Sequence, residues 1–332
     1  MLASLLALTT TTARAEPVTL RMAAVAPDGT SWARELKAFA RDVEATSHGE
    51  LRIKLYLGGI AGDELAALER VRHGQLDGEA GAIFCQRLAP SLRAARLVGL
   101  YESRDEVIYV MGRLKPALDE ELRKSGFANL GEAIFGIDAL FSRQPIRSMA
   151  DLKAAKLWMW SLDSVWDATA GELGLRSFTG ALDDLGSAFR KKQFDAFFAV
   201  PSAALAYQWS TQATYFADVG ASVLPACLVV SNAAVDPLPL ESKQALQTSA
   251  AKFMIRFNHV GEQLDESLIG GLFEKQGLTR VPVSPEFRAQ FFAAAKQARE
   301  KLGAALIAPA LLSSVEKMLD EYRAQRRDAA RR

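Results

Sequence analysis

The sequence predicts an α/β protein with two lobes, a hinge, a cleft between the lobes, and a helical C-terminal region. Three observations predict it. β-rich runs alternate with amphipathic helices from Val18 to about Phe84, the alternation restarts near Phe127, and nearly everything after Pro239 has helical periodicity.

The first β-rich run, "VTLRMAAVA" (Val18 to Ala26), breaks at "PDGT", and Thr30 or Ser31 then caps a helix through about Ser47. "HGELRIKLYLGG" supplies a turn, an alternating strand from Leu51 to Leu57, and a glycine stop. "DELAALERVRHGQ" is an amphipathic helix with Gly74 just past its end, and "LDGEAGAIF" returns as a strand. Strands separated by helices of this length indicate βαβ units and a parallel sheet. In the second half, "FANLGEAIFG", "DALFS", "KLWMW" and "FDAFFAV" read as strands, while "DSVWDATAGELG" and "ALDDLGSAFRKKQ" read as helices. "PSAALAYQW" opens a helix on proline, and "ASVLPACLVVSN" is an apolar strand crossing between domains. Helices over about 240–269, 285–303 and 309–327 complete the chain, with a short strand "LTRVPV" between the first two. In such folds a ligand sits beyond the C-terminal ends of the parallel strands.

Composition narrows the function. A formal net charge of +1 supplies no basic surface for nucleic acid. The opening "MLASLLALTTTTARA" reads as a signal peptide over residues 1–15, ending in an A-x-A cleavage signal although it lacks a basic start. Its apolar run, about 12 residues, is too short to span a bilayer, so the expectation is an exported, periplasmic protein. In that compartment Cys85 and Cys227 can either pair or stay as buried thiols. The three histidines lack metal-ligand spacing, and no cofactor is implied. Hydrolase-elbow, phosphate-loop, dinucleotide-binding and zinc motifs are missing, and Asp183-Asp184 is an acidic pair at a helix start. These features favour binding over catalysis.

The segment "RMAAVAPDGTSWARELKAFARDVEATSHGELRIKLYLGG" resembles the opening of TRAP transporter solute-binding proteins, the DctP-type periplasmic receptors. Those share an A-P-x-G-S-x-W variant, a helix, a strand and a Y-P-G-G turn, in which Leu57 replaces proline here. "ALERVRHGQLD", "RQPIRSMADLKAAKLWMW", "QFDAFFAVP" and "DPLPLESKQALQTSAAKF" follow in the family's order, so the resemblance runs from Val18 to about residue 300. It implies a periplasmic-binding-protein-like fold, hinge closure on a ligand, and delivery to a permease of one small and one large subunit. The expected division is residues 16–135 and 224–265 in lobe I, with 136–223 and 266–332 in lobe II.

The resemblance also marks a departure. Receptors of this family clamp a carboxylate with an arginine in the strand that aligns with "LKAAKLWM", and here Trp158 stands in its place. A second family arginine aligns with Asp138, and the family's asparagine falls at Ala199 or Val200. An unpaired carboxylate in a dehydrated cleft costs several kcal/mol, which an indole cannot offset. The expected ligand is therefore small and hydrophobic or amphipathic, lined by Trp158, Trp160, Phe198, Phe197, Trp209, Trp166 and Phe84. The alternative is an organic acid held by another arginine, Arg143 or Arg147 being nearest in sequence; a two-domain α/β enzyme is a third reading. The "K-x-W-x-W" strand and "P-x-A-A-L-A-x-Q-W" helix resemble a branch of the family that works with a tetratricopeptide-repeat (TPR) periplasmic partner.

Overall fold

A computed structural model describes residues 16–331, so the expected signal peptide lies outside the described residues. Among the described residues, eleven strands form two sheets. The first contains Val18–Ala24 (β1), Leu51–Tyr56 (β2), Gly78–Gly81 (β3) and Phe127–Ile137 (β4). The second contains Ala139–Ser142 (β5), Lys156–Trp160 (β6), Arg176–Gly180 (β7), Ala196–Ala199 (β8) and Tyr215–Ala217 (β9). The chain then returns to the first sheet as Val223–Ser231 (β10) and gives the second a last short strand, Thr279–Arg280 (β11). Strand orders are β2-β1-β3-β10-β4 and β11-β9-β5-β8-β6-β7. Among the described residues no helix is long and apolar enough to cross a membrane.

In the first sheet β1 pairs parallel with β2 and β3 through helices Ser31–Thr46 and Glu64–Arg72. Thr30 and Asp63 cap those helices by accepting the amides of Ala33 and Ala66. The alternation predicts a parallel sheet; the observed one is mixed, because β10 inserts antiparallel to both β3 and β4. In the second sheet β6 pairs parallel with β7 and β8, while β5 runs antiparallel to β8 and β9. Strand β7 escapes the sequence reading because its "RSFTG" lies at a half-exposed edge without a hydrophobic alternation. Helix Arg104–Lys124 is a further element that the reading does not contain.

Two strand-to-strand passages join the lobes, at Asp138 between β4 and β5 and at 218–222 between β9 and β10. They touch where the Asp138 amide donates to the Ser222 carbonyl at 2.9 Å. Helix Leu240–Ser267 packs on helix Ser31–Thr46 and on β4 of the first lobe, and Pro285–Leu302 packs on helix Ser164–Glu172 of the second. The last helix, Pro309–Arg331, corrects the expected lobe division. It returns to the first lobe against Arg104–Lys124, where Arg323 pairs with Glu106 at 2.6 Å and Tyr322 meets the Tyr109 ring at 4.8 Å. Its apolar stripe fits the face that the long helix leaves uncovered, a match that sequence position does not reveal.

Cys85 and Cys227 form a disulfide with Cα atoms 5.9 Å apart, tying the chain beyond β3 to β10. It closes a loop of 142 residues, so replacing both cysteines with alanine should cost about 2–5 kcal/mol in urea denaturation. A second prediction concerns Asp265, at the end of helix Leu240–Ser267. Its Oδ1 accepts the Ser202 amide at 2.8 Å, while Oδ2 is buried without a partner. Burial pushes this carboxyl up to about 7, against the opposing Ser202 hydrogen bond and the nearby Arg104 charge. The native state thus keeps a proton that the unfolded chain releases, and stability falls as pH rises from about 4 to 7. Wild type should lose roughly 2 kcal/mol across that window, discounted for partial exposure, and Asp265→Asn should remove most of the loss.

Candidate ligand-binding cavity

The C-terminal ends of β1, β3, β6 and β8 converge on one cavity of about 120 Å³ between the two sheets. That is near the ~150 Å³ of an apolar cavity that admits benzene. The first lobe contributes Ala24, Ala26, Trp32, Ala82, Phe135 and Phe257, and the second contributes Trp158, Met159, Trp160, Leu182, Phe198 and Trp209. Apolar side chains dominate both walls.

Five of the seven site residues expected from sequence come together here: Trp158, Trp160, Trp166, Phe198 and Trp209. Trp158 lies 6.1 Å from Trp209, which stacks on Tyr207 at 4.8 Å, and Trp166 stacks on Phe198 at 4.6 Å. A Cβ at Gly180 would come within 2.8 Å of Trp158 Nε1, so the bare backbone of β7 is what lets the indole lie across it. Met159 also lines the cavity, although its side chain leaves the other face of β6. The cavity lies off the strand ends, so residues of both faces reach it.

Phe84 and Phe197 lie elsewhere and are fully buried. Strand β3 ends at Gly81, and the chain turns into the short helix Cys85–Leu88, which carries Phe84 into the core of the first lobe with Leu68 and Leu88. Phe197 packs instead with Phe141 and Phe189 in the second-lobe core, with centroids at 5.2 and 5.5 Å. Arg143 donates to the Phe189 carbonyl and covers that ring at 4.0 Å, and the Arg147 amide serves Asp151. Neither arginine lines the cavity.

Sequence reasoning missed the polar end of the site. Arg96, closing the short helix Arg93–Arg96, lines the cavity with Asp138, Asp163 and Glu64. Its Nε and Nη2 donate to Asp163 Oδ2 at 2.9 and 2.6 Å. Its Nη1 donates to Asp138 Oδ2 at 2.7 Å, and to Ser222 Oγ and the Val223 carbonyl, both at 3.1 Å. Burial works to lower the Arg96 pKa, but the charges of Asp138 and Asp163 outweigh it and leave the pKa raised. Trp166 Nε1 reaches Asp138 Oδ2 and Ser222 Oγ at 3.0 and 2.9 Å. Glu64 is also buried; its carboxylate accepts the amides of Ala82, Ile83 and Phe84 at 2.6–3.0 Å. Burial raises its pKa against those bonds. A signal existed in the sequence, since "AARLVGL" places one arginine inside an otherwise apolar run.

Residues 22–305 match the family model of the bacterial extracellular solute-binding protein, family 7. This chain belongs to that family. Family 7 proteins are solute-binding receptors rather than enzymes. A curated "Solute-binding protein" of Chromohalobacter salexigens is 24% identical over 236 residues, an alignment that spans 65% of each chain. Solved structures share the fold. DctPAm, the sugar acid binding protein of Advenella mimigardefordensis in complex with galactonate, superposes with a TM-score of 0.85 at 17% identity, over 92% of this chain and 99% of that one. DctP7, the Bordetella pertussis extracytoplasmic solute receptor binding pyroglutamic acid, gives 0.81 at 20% identity, over 90% and 99%. A Haemophilus influenzae TRAP periplasmic solute binding protein with bound L-gulonate gives 0.83 at 15%, over 91% and 99%.

The ion cluster of this family 7 protein makes a strong stability prediction. Arg96→Met leaves Asp138 and Asp163 buried and unpaired, which should cost about 3–5 kcal/mol in urea denaturation near neutral pH.

Proposed function

We propose that this chain is the periplasmic receptor of a TRAP-type secondary transporter, closing by hinge bending on a small hydrophobic or amphipathic molecule. One observation carries the ligand class. Trp158 lines the cavity, at the position where the family resemblance implies a carboxylate-clamping arginine, and Arg96, the one arginine lining the cavity among the described residues, already serves two aspartates. The aromatic walls suit a ring or an alkyl chain, since buried aromatic side chains gain mainly by apolar contact and stacking. Its partners on this reading are the small and large permease subunits, and a TPR-repeat periplasmic protein is a candidate go-between.

A second reading, an organic acid, has the broader support among relatives, because the structures of similar fold hold galactonate, pyroglutamic acid and L-gulonate. On that reading Arg96 is the arginine available, and the ligand carboxylate has to displace Asp138 or Asp163 from it.

Mass spectrometry of whatever co-purifies, followed by titration monitored through tryptophan fluorescence, separates the two. Trp158→Arg should weaken an apolar ligand at least tenfold, about 1.4 kcal/mol or more, and a parallel titration with a carboxylate measures any affinity gained. Native ligand binding that survives the substitution would remove Trp158 from the site. Saturation of wild type by galactonate or pyroglutamate would establish the organic acid instead.

A further inference from the structure

Three carboxyl side chains, Glu64, Asp138 and Asp163, line the cavity with a single guanidinium, that of Arg96. Their oxygens are not equally occupied. Both Glu64 oxygens take backbone amides, and both Asp163 oxygens are used, Oδ2 by Arg96 and Oδ1 by the Trp166 amide at 3.2 Å. On Asp138 every side-chain donor, Arg96 Nη1, Trp166 Nε1 and Ser222 Oγ, converges on Oδ2. Oδ1 receives none of them. Asp138, which lines the cavity, thus has one oxygen anchored by three donors and the other taken by none of them, beside an arginine whose charge is already matched twice.

Resting on the apolar-ligand reading above, we propose that Asp138 determines specificity, accepting a hydrogen bond at Oδ1 from a donor head group of an apolar ligand and excluding carboxylates. The class this selects is a small ring or chain ending in a hydroxyl, primary amide or ammonium. A ligand carboxylate at the same place meets a second carboxyl group and a guanidinium already spent on two aspartates. In a dehydrated cleft that mismatch costs far more than it would in water. A hydrogen bond from a neutral donor to a buried charged group is commonly worth about 1.5–3 kcal/mol, some ten- to hundredfold in affinity.

Phenylacetamide and phenylacetate differ only at this head group and carry one ring; galacturonate serves as a polar organic acid. Titrating the full mature chain with each, wild type should bind phenylacetamide at least tenfold more tightly than phenylacetate. Asp138→Asn, which frees part of the Arg96 charge while Asp163 still holds it, should reduce that ratio to about threefold or less. The wild-type ratio is itself a test and needs no variant to fold. Phenylacetate binding as tightly as the amide in wild type, or a ratio unmoved by Asp138→Asn, overturns the role of Asp138 while leaving an apolar ligand in place. Binding of galacturonate with neither ring compound overturns the apolar reading itself, and no binding of any of the three counts against both.

Discussion

The buried guanidinium of Arg96 is the interaction on which the arrangement of this molecule depends. It rises from the first lobe and bonds at once to Asp163 in the second lobe and to Asp138 and Ser222 on the two connecting passages. A charge removed from water is tolerable only where geometry supplies its partners, so the three segments must meet in one register. Asp163 carries the order outward. Its Oδ2 holds Arg96 while its Oδ1 caps helix Ser164–Glu172, and the first turn of that helix presents Trp166. The indole then returns its N–H to Asp138 and lays its ring on Phe198. One polar network thereby positions half of an aromatic wall.

A second bridge works from the other side of the cleft. Tyr207 donates its hydroxyl to the Val25 carbonyl across the lobes at 2.9 Å, and its ring continues through Trp209 to Trp158. On the proposed reading, opening the hinge would release such contacts, and a ligand filling the cavity would favour the arrangement in which they are made.

Several structures of organic-acid receptors share this fold at 15–20% identity, which establishes the scaffold and leaves the chemistry to the residues that line it. In this chain those residues combine an indole wall with an arginine already paired to two aspartates. The ligand class turns on how these two features weigh against each other. Both can be read only where strand ends from the two lobes converge.

Local chemistry made much of the molecule legible in advance. Thr30 is one of the two caps the sequence offers for its helix, the alternating "LRIKLY" needs a sheet, and the pair of tryptophans in "KLWMW" stands out by its rarity. Sequence by itself determined most of the elements, their alternation and the aromatic character of the second-lobe wall, because these follow from periodicity and side-chain type along a few neighbouring residues. Only the tertiary structure decided that Phe197 turns into the core while Phe198 meets the cavity, and that Phe84 leaves it where β3 ends early. It alone brought Arg96 to Asp138 and Asp163, 42 and 67 residues away along the chain. Pairing of buried charges is a long-range condition, satisfied by the packing of two lobes, and no local pattern in the chain encodes it.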